Sequence, residues 1–598
     1  MNESNNSCQK HKIYKDLTKL RKRLEKFKPV KLYNRNFKHG TYIIDKPGYY
    51  VLCEDIVFNP NKCHDYMPRS DQEKYQGKGY SLGFFAAISI TCKEGVYLNL
   101  NKHSLQQSKA HALQQRFFAL IELASAPFIP KQGPGDFGSE VEYAENVVIR
   151  NGKLGLSSHH SLHGNFCKNI LLEHLHFTDF EIAAVALNGG DGLIFRKLCI
   201  GKNRQDVPVL GTYSAARFGK QFGEYLLSHY DDLLDSEDKE NLEQSLAALN
   251  KRMKDTFKQV MKKGHTKDPL FKNTSGLVDG NVYGFLLHSP GVAVNHFDLE
   301  DPSLDPTEHV WLDRVIVKDI KVKVNEIIGL SGKEGVGVQN DPSGAVFQID
   351  KVTDENGLYR GNTLSRYQLL LAELSLKYQI PIGKNNITQD TINWANGGYD
   401  INQLLNDGNG YEYKLNGDTM FHVNKGVVAY RFDCVRDLKI EKCSLVGLKN
   451  YGRLGNETKG GAYSLSHDQQ VRPGYHGGDT MGFCFAYCRD VKMFDTKIVN
   501  VVSKNGDAYG INIINGTENQ YIEHICINGI YAGTKRKCGW LGEDYYGNKV
   551  EYNDELPNSL PDSIGIRIDN TSENIKIKCK YISNLVAPGK TIPILREE

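Results

Sequence analysis

Hydrolysing a polysaccharide takes two carboxyl groups flanking the scissile bond, one of them held protonated as the acid. The chain offers acids beside glycine, where the backbone can bend and a substrate can approach. They are Asp191 in Asn-Gly-Gly-Asp-Gly, Asp279 in Val-Asp-Gly-Asn, Asp479 in His476-Gly-Gly-Asp, and Asp507 in Asn-Gly-Asp. The densest acid/base group is His476 with Asp479, near His467-Asp468, and Arg472 is placed to bind an anionic sugar. If the chain is an enzyme, His476, Asp479 and Asp507 are its candidate catalytic residues. Gly-Asp and Asn-Gly are equally the chemistry of ordinary turns.

A second group is rich in histidine: Ser157-Ser-His159-His160-Ser-Leu-His163, followed by His174 and His176. On a strand, positions two apart share a face, so His174 and His176 point the same way. Zinc needs a third or fourth ligand, and neither HExxH nor a Cys/His finger spacing is present. No metal and no cofactor is expected. Gly589-Lys-Thr is not a phosphate loop, because Asn584 stands where the upstream glycine belongs. Many tyrosines and Trp311, Trp394 and Trp540 offer rings for stacking on sugars.

These residues hang on a repeat. Asn146-Val-Val-Ile-Arg-Asn-Gly is followed by Asn169-Ile-Leu-Leu-Glu-His-Leu and Gly192-Leu-Ile-Phe-Arg-Lys-Leu at two steps of 23 residues. Val148, Leu171 and Ile194 are thus equivalent. Near the C-terminus Ala429-Tyr-Arg-Phe lies on Gly482-Phe-Cys-Phe, and Gly510-Ile-Asn-Ile on Gly565-Ile-Arg-Ile. Each copy reads as a short alternating strand, a polar corner with Asn or Asp, and a second alternating strand. Such a unit has no core of its own and needs neighbours above and below, which is the logic of a solenoid. A period in the low twenties is too short for a propeller blade, so the pattern predicts a coil of short parallel strands.

Two segments break the coil. Leu242, Leu246, Leu249, Met253, Phe257 and Val260 repeat at helical spacing, as do Leu364, Tyr367, Leu371, Leu374 and Tyr378 before an Asn/Gly-rich stretch. Excursions from a repeat scaffold either build a functional surface or brace the rod. Residues 10–31 carry ten Lys or Arg against Asp16 and Glu25. Within them Leu17, Leu20, Leu24 and Phe27 form a short apolar seam that Pro29 ends. So few turns do not fold alone, so this helix must dock on the body or on its copies. A homo-oligomer, with a trimer favoured, is the expected assembly.

Composition narrows the classes further. Lys plus Arg is 74 against 71 for Asp plus Glu, a formal charge of +3, so the balance as a whole does not point to a nucleic-acid binder. Fifty-seven glycines suit a turn-rich β protein. No transmembrane span is expected, since the best apolar run, from Phe117 to Pro130, is broken by Glu122. The first residues have no apolar signal segment, and 13 dispersed cysteines without a CxxC pair read as reduced thiols. Synthesis in the cytoplasm is expected, with incorporation into virions as the destination.

On the 23-residue rungs, on Gly95-Val-Tyr-Leu-Asn-Leu-Asn-Lys-His and on the Gly-Ile-x-Ile…Glu-Asn-Ile pattern of 565–575, the chain resembles the pectin-lyase-like superfamily. In texture it resembles members encoded by giant DNA viruses. The resemblance implies an all-β solenoid, a right-handed parallel β-helix with two helix-containing insertions and a short basic N-terminal helix. The implied organisation is a basic arm (1–38), β-helix (39–205), helical insertion (206–270), β-helix (271–345), a second insertion (346–425) and β-helix (426–598). Superfamily members include lyases, hydrolases, tailspikes and adhesins, so fold alone does not choose. Neither the hydrolases' paired aspartates with Arg-x-Lys nor the lyases' calcium carboxylates find a clean match here. The expected function is therefore a rigid structural or adhesion protein, a virion or surface component that recognises glycans. The alternative is a polysaccharide lyase or glycoside hydrolase acting on an acidic polysaccharide. Capsid or nucleic acid are the further partners expected of the basic arm.

Overall fold

In the computed structural model the described residues are chiefly 3–129, 141–203, 230–263, 282–290, 306–322, 426–450, 479–533 and 561–598, with scattered residues between them. Most strands belong to one network in which every pairing is parallel. The fold is all-β and solenoid-like, with stacked coils closing on a shared core.

One coil shows the plan. The strand Val427–Asp433 runs along a first face, Val435–Glu441 along a second, and Ser444–Asn450 along a third. The next coil repeats this with Thr480–Ala486, Arg489–Phe494 and Lys497–Ser503, each pairing in register with its counterpart. The corner residue Cys434 and the second-face residue Asp437 have positive φ, as do Tyr487 and Asp490 one coil on. The second-face position recurs as Asn146, Asn169, Gly192, His309, Asp437, Asp490, Asn519 and Asn574. These are largely the residue types that tolerate the left-handed region, and they are the polar corners visible in the repeat.

The register matches the repeat where it was read. Val148 pairs with Leu171 and Leu171 with Ile194. Elsewhere the coils are longer: Met481 pairs with Tyr509, and Tyr509 with Ile564. The rungs are thus not uniformly 23 residues, because loops of different length join the third face of one coil to the first face of the next.

Inside, apolar side chains stack coil on coil. Tyr430 lies on Phe483 with ring centroids 4.2 Å apart, and Phe432 on Phe485 at 5.4 Å. Each buried Val, Leu or Ile contributes roughly 1.5–3 kcal/mol. On the first face one column is small throughout, reading Ala184, Gly284, Ala429, Gly482, Gly510 and Gly565, and its last three members are tight. A Cβ at Gly482, Gly510 or Gly565 would lie 2.4, 2.5 or 2.4 Å from the carbonyl oxygen of the coil above.

The N-terminal helix Glu3–Leu24 docks on the second face. Leu17 and Leu24 are buried with Tyr97, Val148, Leu171, Ile194 and Trp311, and Ile13, Tyr14 and Leu20 pack beside them. A helix rises about 1.5 Å per residue and successive coils lie about 4.8 Å apart, so three to four helical residues span one coil. The inward series Leu24, Leu20, Leu17, Ile13 and Lys10, buried or half-buried, has that spacing, and the helix therefore lies along the stacking direction. Its apolar seam faces the body, except Phe27, which is 61% exposed.

In the first insertion, the predicted rhythm is the helix Ser236–Lys263, with Thr256 rather than Phe257 in the buried series. Asp235 caps it, accepting from the Asp238 N–H at 2.9 Å. The fully buried Arg217 ties this insertion to the first coils, donating to the Asp65 carbonyl at 2.8 Å and the Gln114 carbonyl at 3.1 Å. The second insertion lies outside the described residues except for a few, among them Leu374, Lys377 and Tyr378. Lys377 reaches Asp238 at 2.6 Å, so the two insertions touch.

Candidate functional site

Asp479 and Asp507 come together, but as members of a ladder. Both stand at the entry to a first-face strand, as does Asp562, each followed by two residues and the column glycine. The Asp507 N–H donates to Asp479 Oδ1 at 3.2 Å, and the Asp562 N–H to Asp507 Oδ1 at 2.7 Å. The Lys590 N–H closes the series on Asp562 Oδ1 at 2.6 Å. Tyr509 donates its hydroxyl to Asp507 Oδ2 at 2.9 Å, so both oxygens of Asp507 are engaged. Burial pushes the Asp507 carboxyl above its ordinary range, while the Asp562 N–H pulls it back. His476, His467, Asp468, Arg472 and Asp279 lie outside the described residues. Asp191 is half exposed and pairs with His309 Nδ1 at 2.7 Å, a contact that raises the imidazole's proton affinity.

The histidine run converges more tightly. The strand His160–Phe177 places His163 in register with Glu122 of the strand Ala119–Glu122. His163 Nδ1 lies 2.7 Å from Glu122 Oε2, and its Nε2 lies 3.1 Å from the Asn188 amide nitrogen. With Asn188 donating to Nε2, the His163 Nδ1–H donates a hydrogen bond to the Glu122 carboxyl group. Asn188 donates also to Asn165 Oδ1 at 2.9 Å, and Asn165 to the Ala126 carbonyl at 3.0 Å. Burial pushes the Glu122 carboxyl up, and His163 opposes it.

His160 stacks on His163 with centroids 5.2 Å apart and meets His159 at 4.0 Å with the rings tilted by 44°. Its Nδ1 is buried without a hydrogen-bond partner among the described residues, and burial next to the other imidazoles holds it neutral. On the following coils His288 Nδ1 approaches Asp433 Oδ2 at 3.2 Å. Arg431 grips Asp433 at 2.8 Å and donates to Cys484 Sγ, also at 2.8 Å. A contiguous polar patch thus crosses the first face from Glu122 to Cys484.

Repeat reasoning pointed to the histidines but missed Glu122, Asn188, Arg431 and Asp433. The available signal was Glu122 itself, an acid inside an otherwise apolar run. His174 and His176 sit apart from the patch, and His174 takes a positive-φ position between the second and third faces. Trp311 is 6% exposed beneath the N-terminal helix, which withdraws it from sugar stacking, and Trp394 and Trp540 lie outside the described residues.

Among the described residues no group of three His, Cys, Asp or Glu is arranged to hold a metal ion, and no helix is long and apolar enough to cross a membrane. No protein-family model matches the sequence, and no curated protein matches it.

Proposed function

We propose that the solenoid is a right-handed parallel β-helix of the pectin-lyase-like kind. It works as a rigid structural or adhesion rod, a virion or surface component that recognises glycans. The observation that carries this reading is the state of the acids. Asp479, Asp507 and Asp562 each hold the backbone N–H of the coil above. Carboxylates fixed in this way stiffen a stack, and in Asp507 both oxygens are already committed. A glycan array combined with reducing-end and unsaturated-product assays tests the reading. Binding without turnover is the expected result, and turnover would replace it.

One observation favours a polysaccharide lyase or glycoside hydrolase instead: the Glu122–His163 pair beside His160 and the His288–Asp433 pair. On that reading turnover appears and is lost in both His163→Gln and Glu122→Gln. Turnover that survives both substitutions would remove this patch from the chemistry.

A further inference from the structure

The N-terminal helix shows two opposite stripes. Lys10, Ile13, Leu17, Leu20 and Leu24 face the coils, while Lys12, Lys15, Lys19 and Lys22 are exposed. Positions 12, 15, 19 and 22 step by 3, 4 and 3, so the four ammonium groups form a line with one charge per about 5 Å. Arg23 and Lys26 flank it, also exposed. Of these six cations only Lys19 has an ion-pair partner among the described residues, Asp16 at 3.3 Å. Because the helix is fixed lengthwise on the coils, the line is straight and rigid.

Beside it lies an open groove of about 970 Å³ between the helix and the coil corners. Lys12, Lys19 and Arg23 form one wall, and Asn146 and Asn169 line the other. The two asparagines are successive corners held to each other, Asn169 Nδ2 donating to Asn146 Oδ1 at 3.1 Å. Glu94 and Asp16 also border the groove, so its charge is net positive but not uniform.

We propose that this groove binds a linear acidic polysaccharide, its carboxylate or sulfate groups on Lys12, Lys19 and Arg23 and its hydroxyls toward Asn146 and Asn169. The proposal rests on the glycan reading above and names the ligand class and the place. Charge complementarity favours a polymer with anions at intervals, since Lys12, Lys19 and Arg23 lie about 11 and 6 Å apart along the helix axis. A single-stranded nucleic acid needs aromatic platforms for its bases, and none alternates with these cations: His11 and Tyr14 are turned onto Trp311. Duplex DNA carries a charge every ~1.7 Å along a broad cylinder, which matches neither the spacing nor the groove.

The test uses the full chain, with binding measured to heparin, polygalacturonate, neutral dextran and poly-dT at low and high salt. The variants are Lys12→Glu/Lys19→Glu/Arg23→Glu, the milder Lys12→Gln/Lys19→Gln/Arg23→Gln, and a control, Lys497→Glu/Lys504→Glu, on the third face. Circular dichroism checks that each folds. At least one acidic polymer should bind, more weakly as salt screens the contacts, and dextran should not. Charge reversal should weaken binding by about tenfold or more, as expected for several lost charge contacts, neutralisation by less, and the control by nothing. Preference for heparin assigns sulfate, and preference for polygalacturonate assigns carboxylate. Unchanged binding in the charge-reversed variant overturns the groove while leaving the glycan reading intact. Binding of poly-dT above both acidic glycans also overturns it, in favour of nucleic acid. Failure of every glycan, acidic and neutral, removes the glycan reading and this inference with it.

Discussion

On the second face one outward row runs through both halves of the solenoid. In the N-terminal half it reads Tyr49, Tyr97, Val148, Leu171, Ile194 and Trp311, and in the C-terminal half Lys439, Lys492, Tyr521 and Lys576. Backbone register and coil position are the same in both. The difference is the helix Glu3–Leu24, whose apolar seam covers the first set and gives way to Lys10 at Asp437. Inward residues define the coil, whereas outward residues report what lies on top of them. An apolar outward row in a solenoid is therefore evidence of an apolar cover, and its change to lysine marks where the helix's apolar seam ends.

The largest effect expected from this contrast comes from truncating the row on either side of that boundary. Leu171 is 1% exposed beneath the helix, so Leu171→Ala should cost about 3 kcal/mol. Part of that loss should appear as release of the helix, visible as protease cutting within residues 10–24. Lys492→Ala, at the same row position, should change stability by no more than about 0.5 kcal/mol. Urea midpoints of the two variants measure the difference. Equal losses would show that the helix is not the cover.

The same contrast separates what could be read in the sequence from what could not. The step from Val148 to Leu171 to Ile194, the Asn and Asp turns, and the Gly-Ile-x-Ile strands all follow from local steric rules. They were legible for that reason. The helix in 236–263 was legible from its spacing, with one register detail, Thr256 for Phe257, set by packing against distant residues. The candidate site was legible only in part. Asp479 and Asp507 were found as acids near glycine, but a ladder and an active-site pair share that signature until the coil above is in place. The partner of His163 lies 41 residues earlier, on Glu122, and only strand register brings the two together. The docking of the helix along the stack was likewise hidden, because its apolar seam suits its own body and a second copy equally well.

A smaller effect lies at the boundary itself. Lys10 is buried at 2% exposure, forms an ion pair with Asp437, and donates to the Asp437 carbonyl at 3.2 Å. Asp437→Ala leaves that ammonium buried with only a carbonyl for company. The cost should be about 2 kcal/mol, below the figure for a fully locked buried pair, because the helix tip can lift away. Burial lowers the Lys10 proton affinity from its ordinary 10.5, outweighing the pull of Asp437. The docked state therefore gives up the proton at lower pH than the free helix does. Docking of the tip should tighten as pH rises through the lowered value toward 10.5. Hydrogen exchange at residues 10–14, corrected for the intrinsic rate, measures this, and protection that falls over the same range would contradict it.

The smallest effect belongs to the C-terminal half, where an aspartate ladder takes the place of a covering helix in holding the edge of the coils. Asp507→Asn keeps Oδ1 to accept the Asp562 N–H and removes a buried charge. Stability at pH 7 should stay within about 1 kcal/mol of the parent, whereas Asp507→Ala orphans that N–H and should cost about 1–2 kcal/mol. The pH dependence carries a sign. Because burial raises the Asp507 carboxyl above 3.8, the folded chain binds the proton more tightly than the unfolded chain. The parent should therefore gain stability relative to Asp507→Asn as pH falls through the raised value toward 3.8. Melting temperatures of the parent and both variants from pH 7 to pH 4, an interval of about three units chosen to cross that window, decide it. If Asn proves as costly as Ala, the charge rather than the accepted N–H holds the rung, and the ladder in this half is electrostatic.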